Sequence, residues 1–315
     1  MRELFVHIGA HKTGTTSLQS CFEDQAKTLR KLGVFYPKTN WYHHSQHRLA
    51  FAMKGQKDPT AGDLPDLATE VAALNHAIAS SDCDKVIISS EEFFSCSAET
   101  ITDFKDLLDV DAVRIIASLR RPDTLLVSMY NQKIKHPGNN FAPGILPFVQ
   151  DPRILDRDMD FKACMDPWME TFGSDNTTVL LYEDGGTITQ MLKVLGLPED
   201  ALRLPARLNE SLPGVVIEMM RIAKFMHMDV EQQKKLYQLA SREMAGRPAY
   251  FLADEHRRNI IRELQPAMGK MFKQLGRENP YKLAHYVAHG DEARPNITMA
   301  DLMQLIDTLL KKQWR

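Results

Sequence analysis

The sequence lacks any apolar run approaching the ~20 residues a helix needs to cross a bilayer. Its first apolar stretch, Leu4-Phe5-Val6-His7-Ile8, is too short for the core of a secretory signal. A cytoplasmic location is the resulting expectation. Cysteine is scarce: Cys21, Cys83, Cys96 and Cys164 stand far apart, with no CxxC pair. That spacing argues against a zinc site and a disulfide framework, and predicts reduced thiols. An excess of either charge is also missing, with Lys plus Arg at 39, Asp plus Glu at 41 and a formal net charge of −2. No global field draws the chain to nucleic acid or to an anionic membrane. An anionic ligand must therefore be met by a local cluster.

The 315 residues are 43% hydrophobic and 25% charged, an ordinary globular composition. That length suits one large domain, or one domain with an appendage. The first half alternates strand-like and helix-like segments. Leu4–Gly9 reads as a strand, and Leu18, Phe22, Ala26 and Leu29 predict a helix from Thr15 to Lys31. Val34–Tyr36 reads as a short strand, and Leu67, Val71, Leu74 and Ile78 predict a helix over Leu67–Ala79. Lys85–Ser89, Val113–Leu119 and Thr178–Leu181 are too apolar to be half exposed. Such strands separated by helices predict a parallel sheet covered on both faces, with ligands beyond the C-terminal strand ends.

Two stretches break this rhythm. Thr39–Pro65 and His136–Asp160, rich in Pro and Gly, read as long loops that shape an acceptor pocket. After Pro213 the chain turns helical, with stripes at Met219, Met220 and Ala223, then Ile261, Leu264, Met268, Met271 and Leu275, then Leu302–Leu310. Methionine stripes at helical spacing read as packing surface. The organisation predicted is a core over residues 1–212 and a helical C-terminal extension over 213–315.

The chemistry concentrates after the first strand. Gly9-Ala10-His11-Lys12-Thr13-Gly14-Thr15-Thr16 lies between a predicted strand and a predicted helix. There, main-chain N–H groups and the positive end of the helix dipole can cradle an anion. Gly9 and Gly14 have the Walker A spacing, but Thr15-Thr16 follows in place of Lys-Ser or Lys-Thr. The lysine sits inside the loop, at Lys12, nearer an α-phosphate and its transferable group than a γ-phosphate. Further on, Arg120-Arg121-Pro122 follows a strand and Ser128 stands eight residues after Arg120, two donors that could converge on one phosphate.

These segments resemble the sulfotransferases that use 3′-phosphoadenosine 5′-phosphosulfate (PAPS), over about residues 4–212. The resemblance implies a P-loop-type three-layer α/β sandwich with a central parallel sheet, a PAPS donor and 3′,5′-ADP (PAP) as product. By the same resemblance Lys12 bridges donor and leaving phosphate, while Thr13, Gly14, Thr15 and Thr16 bind the 5′-phosphate. Arg120 and Ser128 match the 3′-phosphate motif, Tyr182 of Tyr182-Glu183-Asp184 stands near adenine, and Arg207 is a further phosphate candidate. The family's Arg-Lys-Gly is absent from that last place.

An alcohol acceptor must lose a proton. Glu91, at the end of strand Lys85–Ser89, is the favoured base; His11 and the loop histidines are the other candidates, and His47 is assigned to the acceptor. His43 and His47 have helical spacing, but without a third ligand no metal is assigned. The acceptor is read as a hydroxyl of a carbohydrate or small metabolite. Rival readings are a P-loop kinase using ATP–Mg²⁺, with Thr16 on the metal, and a non-catalytic PAPS- or nucleotide-binding protein.

Overall fold

The β-branched runs assemble into one parallel sheet. The computed structural model describes residues 1–59, 61–136, 138–155, 159–204, 212–247, 249 and 252–288. The chain runs β1 (Glu3–His7), α1 (Thr15–Asp24), α2 (Ala26–Lys31), β2 (Val34–Phe35), α3 (His47–Met53), α4 (Leu67–Ala79) and β3 (Lys85–Ser89). Then come α5 (Ala98–Leu107), β4 (Ala112–Leu119), α6 (Pro122–Lys135), α7 (Ile145–Val149), α8 (Pro152–Ile154), α9 (Phe161–Phe172) and β5 (Thr177–Leu181). The last helices are α10 (Thr187–Val194), α11 (Gly214–Phe225), α12 (Val230–Glu243) and α13 (Asp254–Gln274).

Strand order is β2-β3-β1-β4-β5, with every pairing parallel. The chain leaves β1 toward the β2 edge and leaves β4 toward the β5 edge, so the switch point lies between these two neighbours. Ligands of such sheets bind outside the carboxyl ends at that crevice. The register puts Phe5, Ile87, Ile116 and Leu180 on one face, where they pack with Leu18 and Phe22 of α1 and with Ile188, Met191 and Leu192 of α10. Leu4, Val6, Val86, Ile88, Ile115 and Ala117 alternate to the other face and are fully buried. Burial on both faces is why these strands read as continuous apolar runs.

Two compact units share the chain. The first comprises Met1–Arg121, Arg157–Leu208 and Pro266–Asn279, and holds the whole sheet. In it the fully buried Trp168 of α9 meets Phe93 and Phe104 edge-on and stacks on Phe172. The second comprises Pro122–Asp156, Asn209–Gln265 and Pro280–Arg315. Its core joins Val215, Val216 and Met219 of α11 to Leu239 and Ala240 of α12. A buried ion pair, Arg257 Nη2 to Asp123 Oδ2 at 2.7 Å, links the start of α6 to α13. The methionine stripes are core: Met219, Met220, Met268 and Met271 are all buried.

Several boundaries differ from the sequence expectation. The predicted helix Thr15–Lys31 breaks at Gln25, whose amide is committed to both main-chain groups of Arg203 (Nε2 to O 2.8 Å, N to Oε1 2.9 Å). The strand at Val34 ends at Phe35, the last residue paired with β3, and the buried Tyr36 beyond it donates its hydroxyl to His44 O. The loop Thr39–Pro65 contains α3, and the loop His136–Asp160 contains α7 and α8. Helix α3 has four of its seven residues as buried apolar side chains (Leu49, Ala50, Phe51, Met53) and so shows no alternating stripe. The expected helix Leu302–Leu310 and the candidate Arg207 lie outside the described residues. The four cysteines are buried and, among the described residues, form no disulfide with one another. Among the described residues no helix is long and apolar enough to cross a membrane.

Replacing Trp168 by Ala should remove roughly 3–5 kcal/mol of stability through the cavity it leaves. Urea unfolding of the variant against the parent checks this; a loss below about 1 kcal/mol would mean that the aromatic cluster is not the core of this face.

Candidate active site

The turn between β1 and α1 is built by backbone that most residues avoid. Lys12 (φ 64°) and Gly14 (φ 86°) are both left-handed. Gly14 is the N-cap of α1 and provides no side-chain cap, so the first amides of that helix remain available as donors. A Cβ at Gly14 would meet Thr187 Oγ1 at 3.0 Å, and one at Gly9 would lie 2.9 Å from Ser118 Cβ and 3.0 Å from His7 Nε2. Both glycines are demanded by space, and Gly14 by conformation as well. Thr13 is buried; its hydroxyl donates to Ala10 O (2.7 Å), and its own carbonyl accepts from Thr187 Oγ1 (2.8 Å). What Thr13 can offer a ligand is thus its main-chain N–H. Thr15 is buried, Thr16 exposed and Lys12 half-buried.

Arg120 follows β4 and reaches back to this loop, its Nη1 donating to Lys12 O at 3.1 Å. Its guanidinium also stacks over Tyr182, 4.3 Å from the ring centroid. Tyr182 is 43% exposed, so it is a surface ring rather than a core aromatic. A Cβ at Gly14 would come within 3.9 Å of Tyr182 Cε2, which places the ring against the loop. The glycine loop, Arg120 and Tyr182 therefore share one end of the sheet. Pro122 opens α6 as its first residue; Ser128 is half-buried in the second turn of that helix, in the second unit.

Glu91 and His47, assigned separately in the sequence, meet. Their Oε2 and Nε2 atoms are 3.8 Å apart, with side chains 17% and 11% exposed, so the pair is shielded without being sealed. His47 Nδ1 hydrogen-bonds Ser90 Oγ (2.7 Å), and Gln19 of α1 donates to both Glu91 Oε2 (3.0 Å) and Ser89 Oγ (3.1 Å). His11 Nε2 lies 3.7 Å from Glu92 Oε1, and Lys54 Nζ pairs with Glu92 Oε2 at 2.6 Å. His43, by contrast, has φ 44° and precedes the helix that His47 opens, so the two do not form an i, i+4 helical pair.

Burial holds His47 below the ordinary imidazole value, against the upward pull of Glu91 and Glu92. Burial pushes the Glu91 carboxyl up, but His47, the Gln19 amide, its own main-chain N–H and His11 together outweigh it, and it lies below the usual range. A carboxylate facing a neutral imidazole is the state these directions give near neutral pH. Below the pair lies His7, fully buried, its ring nitrogens bonded to Ser89 Oγ and Ser118 Oγ (both 2.8 Å). Burial lowers its pKa to about 4, with Glu91 opposing.

Gln19, Ser89, Ser90, Ser118, Lys54 and Thr187 were not singled out by sequence. An imidazole inside the apolar strand Phe5-Val6-His7-Ile8 was the available signal for a polar core, since a buried His needs partners. Gln19, buried between Leu18 and Cys21 on α1, was the other.

No family profile matches the chain. It is 24% identical over 211 residues to an uncharacterized protein of Archaeoglobus fulgidus, the match covering 63% of this chain and 56% of that one, so it spans little more than half the length of that relative. Among solved structures it is similar to a sulfotransferase from Alicyclobacillus acidocaldarius (16% identity, TM-score 0.42, 74% of this chain and 99% of that one). It is also similar to mouse sulfotransferase SULT7A1 complexed with PAP (13%, TM-score 0.38, 82% and 88%). A third is the sulfotransferase domain from the curacin biosynthetic pathway (12%, TM-score 0.38, 84% and 98%).

The depressed pKa of His7 makes stability pH-dependent. Unfolded, the ring binds a proton below about 6.5; folded, it does so only below about 4. Stability is therefore lost as pH falls through that window, by about 3 kcal/mol once both states are protonated. Urea unfolding at pH 7 and pH 4 should show this loss in the parent, and a His7→Gln variant should lose that much less between the two pH values. Equal losses in both proteins would show that His7 titrates normally.

Proposed function

We propose that the protein is a sulfotransferase that takes PAPS as donor and a hydroxyl compound as acceptor. The observation that carries this reading is the left-handed Lys12–Gly14 turn at the head of α1, with Arg120 and Tyr182 beside it and Glu91 tied to the same helix through Gln19. The turn fits a 5′-phosphosulfate: left-handed Lys12 and Gly14 lead into α1, and with no side chain capping that helix its first amides are available to an anion. Thr13, Gly14, Thr15 and Thr16 would hold the 5′-phosphate, with Thr13 acting through its main chain. Arg120 is assigned to the 3′-phosphate and Tyr182, half in solvent, to the adenine face.

When bound, the donor supplies the sulfuryl group and leaves as PAP. The ammonium of Lys12 would neutralise charge that builds on the bridging oxygen, an interaction stronger in the transition state than before it. Glu91, ionised near neutral pH, would receive the acceptor proton. His47, neutral and facing it, would orient the acceptor hydroxyl. A carbohydrate or small metabolite remains the acceptor class proposed.

Thermal unfolding with 3′,5′-ADP, 5′-ADP and ATP–Mg²⁺ tests the reading. The largest stabilisation should come from 3′,5′-ADP. A larger one from ATP–Mg²⁺ would favour a P-loop kinase, and 3′,5′-ADP binding without transfer to any acceptor from labelled PAPS would favour a binding protein.

With an acceptor in hand, Lys12→Ala should lower kcat about 100-fold. An unchanged kcat would reject the role given to Lys12.

A further inference from the structure

The segment that delivers His47 is strained, and one cation joins it to the connection and helix that follow. Between β2 and α3, Asn40 (φ 61°), His43 (φ 44°) and His44 (φ 57°) all take the left-handed conformation without being glycine. Such backbone persists only where the surroundings over-determine it. Local bonds supply part of this: Tyr42 N donates to Ser45 O (3.0 Å), Tyr36 Oη to His44 O (2.8 Å), and Gln46 N to Ser89 O (3.0 Å). His44 also pairs with Glu23, Gln46 Nε2 donates to Pro37 O (2.8 Å) and Asn40 Nδ2 to Glu70 O (3.0 Å), and a further set of bonds comes from Arg48, the residue after His47. Its main-chain N–H donates to Asn40 O at 3.1 Å. Its guanidinium spans three carboxylates: Nε to Glu70 Oε1 (2.8 Å), Nη1 to Asp58 Oδ2 (3.1 Å), and Nη1 and Nη2 to the two oxygens of Asp63 (2.9 and 2.8 Å).

Asp58 and Glu70 are buried, at 4% and 7% exposure, and Glu70 also accepts from Asn40 Nδ2 at 2.6 Å. One side chain thus ties the start of α3 to the first turn of α4 and to the connection between them. A planar five-donor fork can satisfy these acceptors together, whereas a lysine ammonium cannot. His47 lies next to this clamp along the chain, and its ring goes to Ser90 and Glu91.

We propose that Arg48 is a positioning residue: by clamping Asp58, Asp63 and Glu70 it holds the strained 40–47 turn in the conformation that sets His47 against Ser90 and Glu91. Its effect on turnover rests on the sulfotransferase reading; its effect on His47 does not. The charged or titratable groups acting on the ring are Glu91, Glu92, His11 and His43; Arg48 is not among them, so its effect on the ring is exerted through the geometry of the turn, which also carries His43.

The test uses the full chain as Arg48→Met and Arg48→Lys, with Glu70→Gln as a milder break of the same clamp should Arg48→Met fail to fold. Three readouts are taken: the NMR titration of the His47 ring, assigned with His47→Gln; 3′,5′-ADP affinity by calorimetry; and kcat and KM with an acceptor. Arg48→Met should move the His47 titration upward toward the ordinary imidazole value as the ring leaves its buried seat, and leave 3′,5′-ADP affinity unchanged. It should also lower kcat roughly 10- to 100-fold through misplacement of the acceptor group, with Arg48→Lys recovering only part. An unchanged His47 titration in all variants that fold would overturn the proposal, as would a loss of 3′,5′-ADP affinity in step with turnover. If the parent itself fails to bind 3′,5′-ADP, the sulfotransferase reading falls, and the His47 titration alone decides the role of Arg48.

Discussion

The rest of the site depends on how closely the glycine loop is pressed onto the polar residues behind it. Gly9 touches Ser118 and the His7 ring so tightly that a methyl group would not fit, and Gly14 is equally close to Thr187. At that contact the chain passes from β1 into α1 through left-handed Lys12 and Gly14. The anion cradle proposed for this loop would draw its strength from preorganised dipoles, which requires a geometry set before any ligand arrives. Holding the loop there requires a neutral, hydrogen-bonded floor, which His7, Ser89 and Ser118 provide.

The same floor connects the loop to the carboxylate. Ser89 bonds His7 on one side and Gln19 on the other, and Gln19 also holds Glu91. One buried network thus links the strand under the glycine loop, the helix that follows it and the proposed base. Its members are satisfied by one another, which is what makes a polar core tolerable at this depth. His47 approaches from the opposite direction, on the strained segment clamped by Arg48. The glycine loop and His47 are therefore fixed by separate devices that converge on Glu91.

Strands and long helices were legible because burial writes itself into composition. Lys85–Ser89 and Leu67–Ala79 take the bounds their patterns predict: the first is an apolar β-branched run, the second carries a stripe and an Asp66 cap bonded to Thr69 N at 2.9 Å. Helix α3 was not legible, since a short, mostly buried helix carries no periodic contrast. The break at Gln25 was hidden for another reason: its cause, Arg203, lies far along the chain. In the site, the loop Gly9–Thr16 could be recognised from spacing, and Glu91 and His47 could each be named, but their proximity could not.

By itself the sequence determined the chemistry on offer: a lysine within a glycine loop between strand and helix, a carboxylate at the end of the next strand but one, and apolar runs that must lie inside a parallel sheet. These follow from local rules of conformation and burial, which act over a few residues and need no partner. Only the tertiary structure decided which side chains meet. Arg120 folds back over Tyr182 and the loop, Gln19 reaches Glu91, and Arg48 gathers Asp58, Asp63 and Glu70. Those pairings are set by sheet order and by the packing of distant segments, and a directional bond a few ångströms long leaves no trace in a linear pattern.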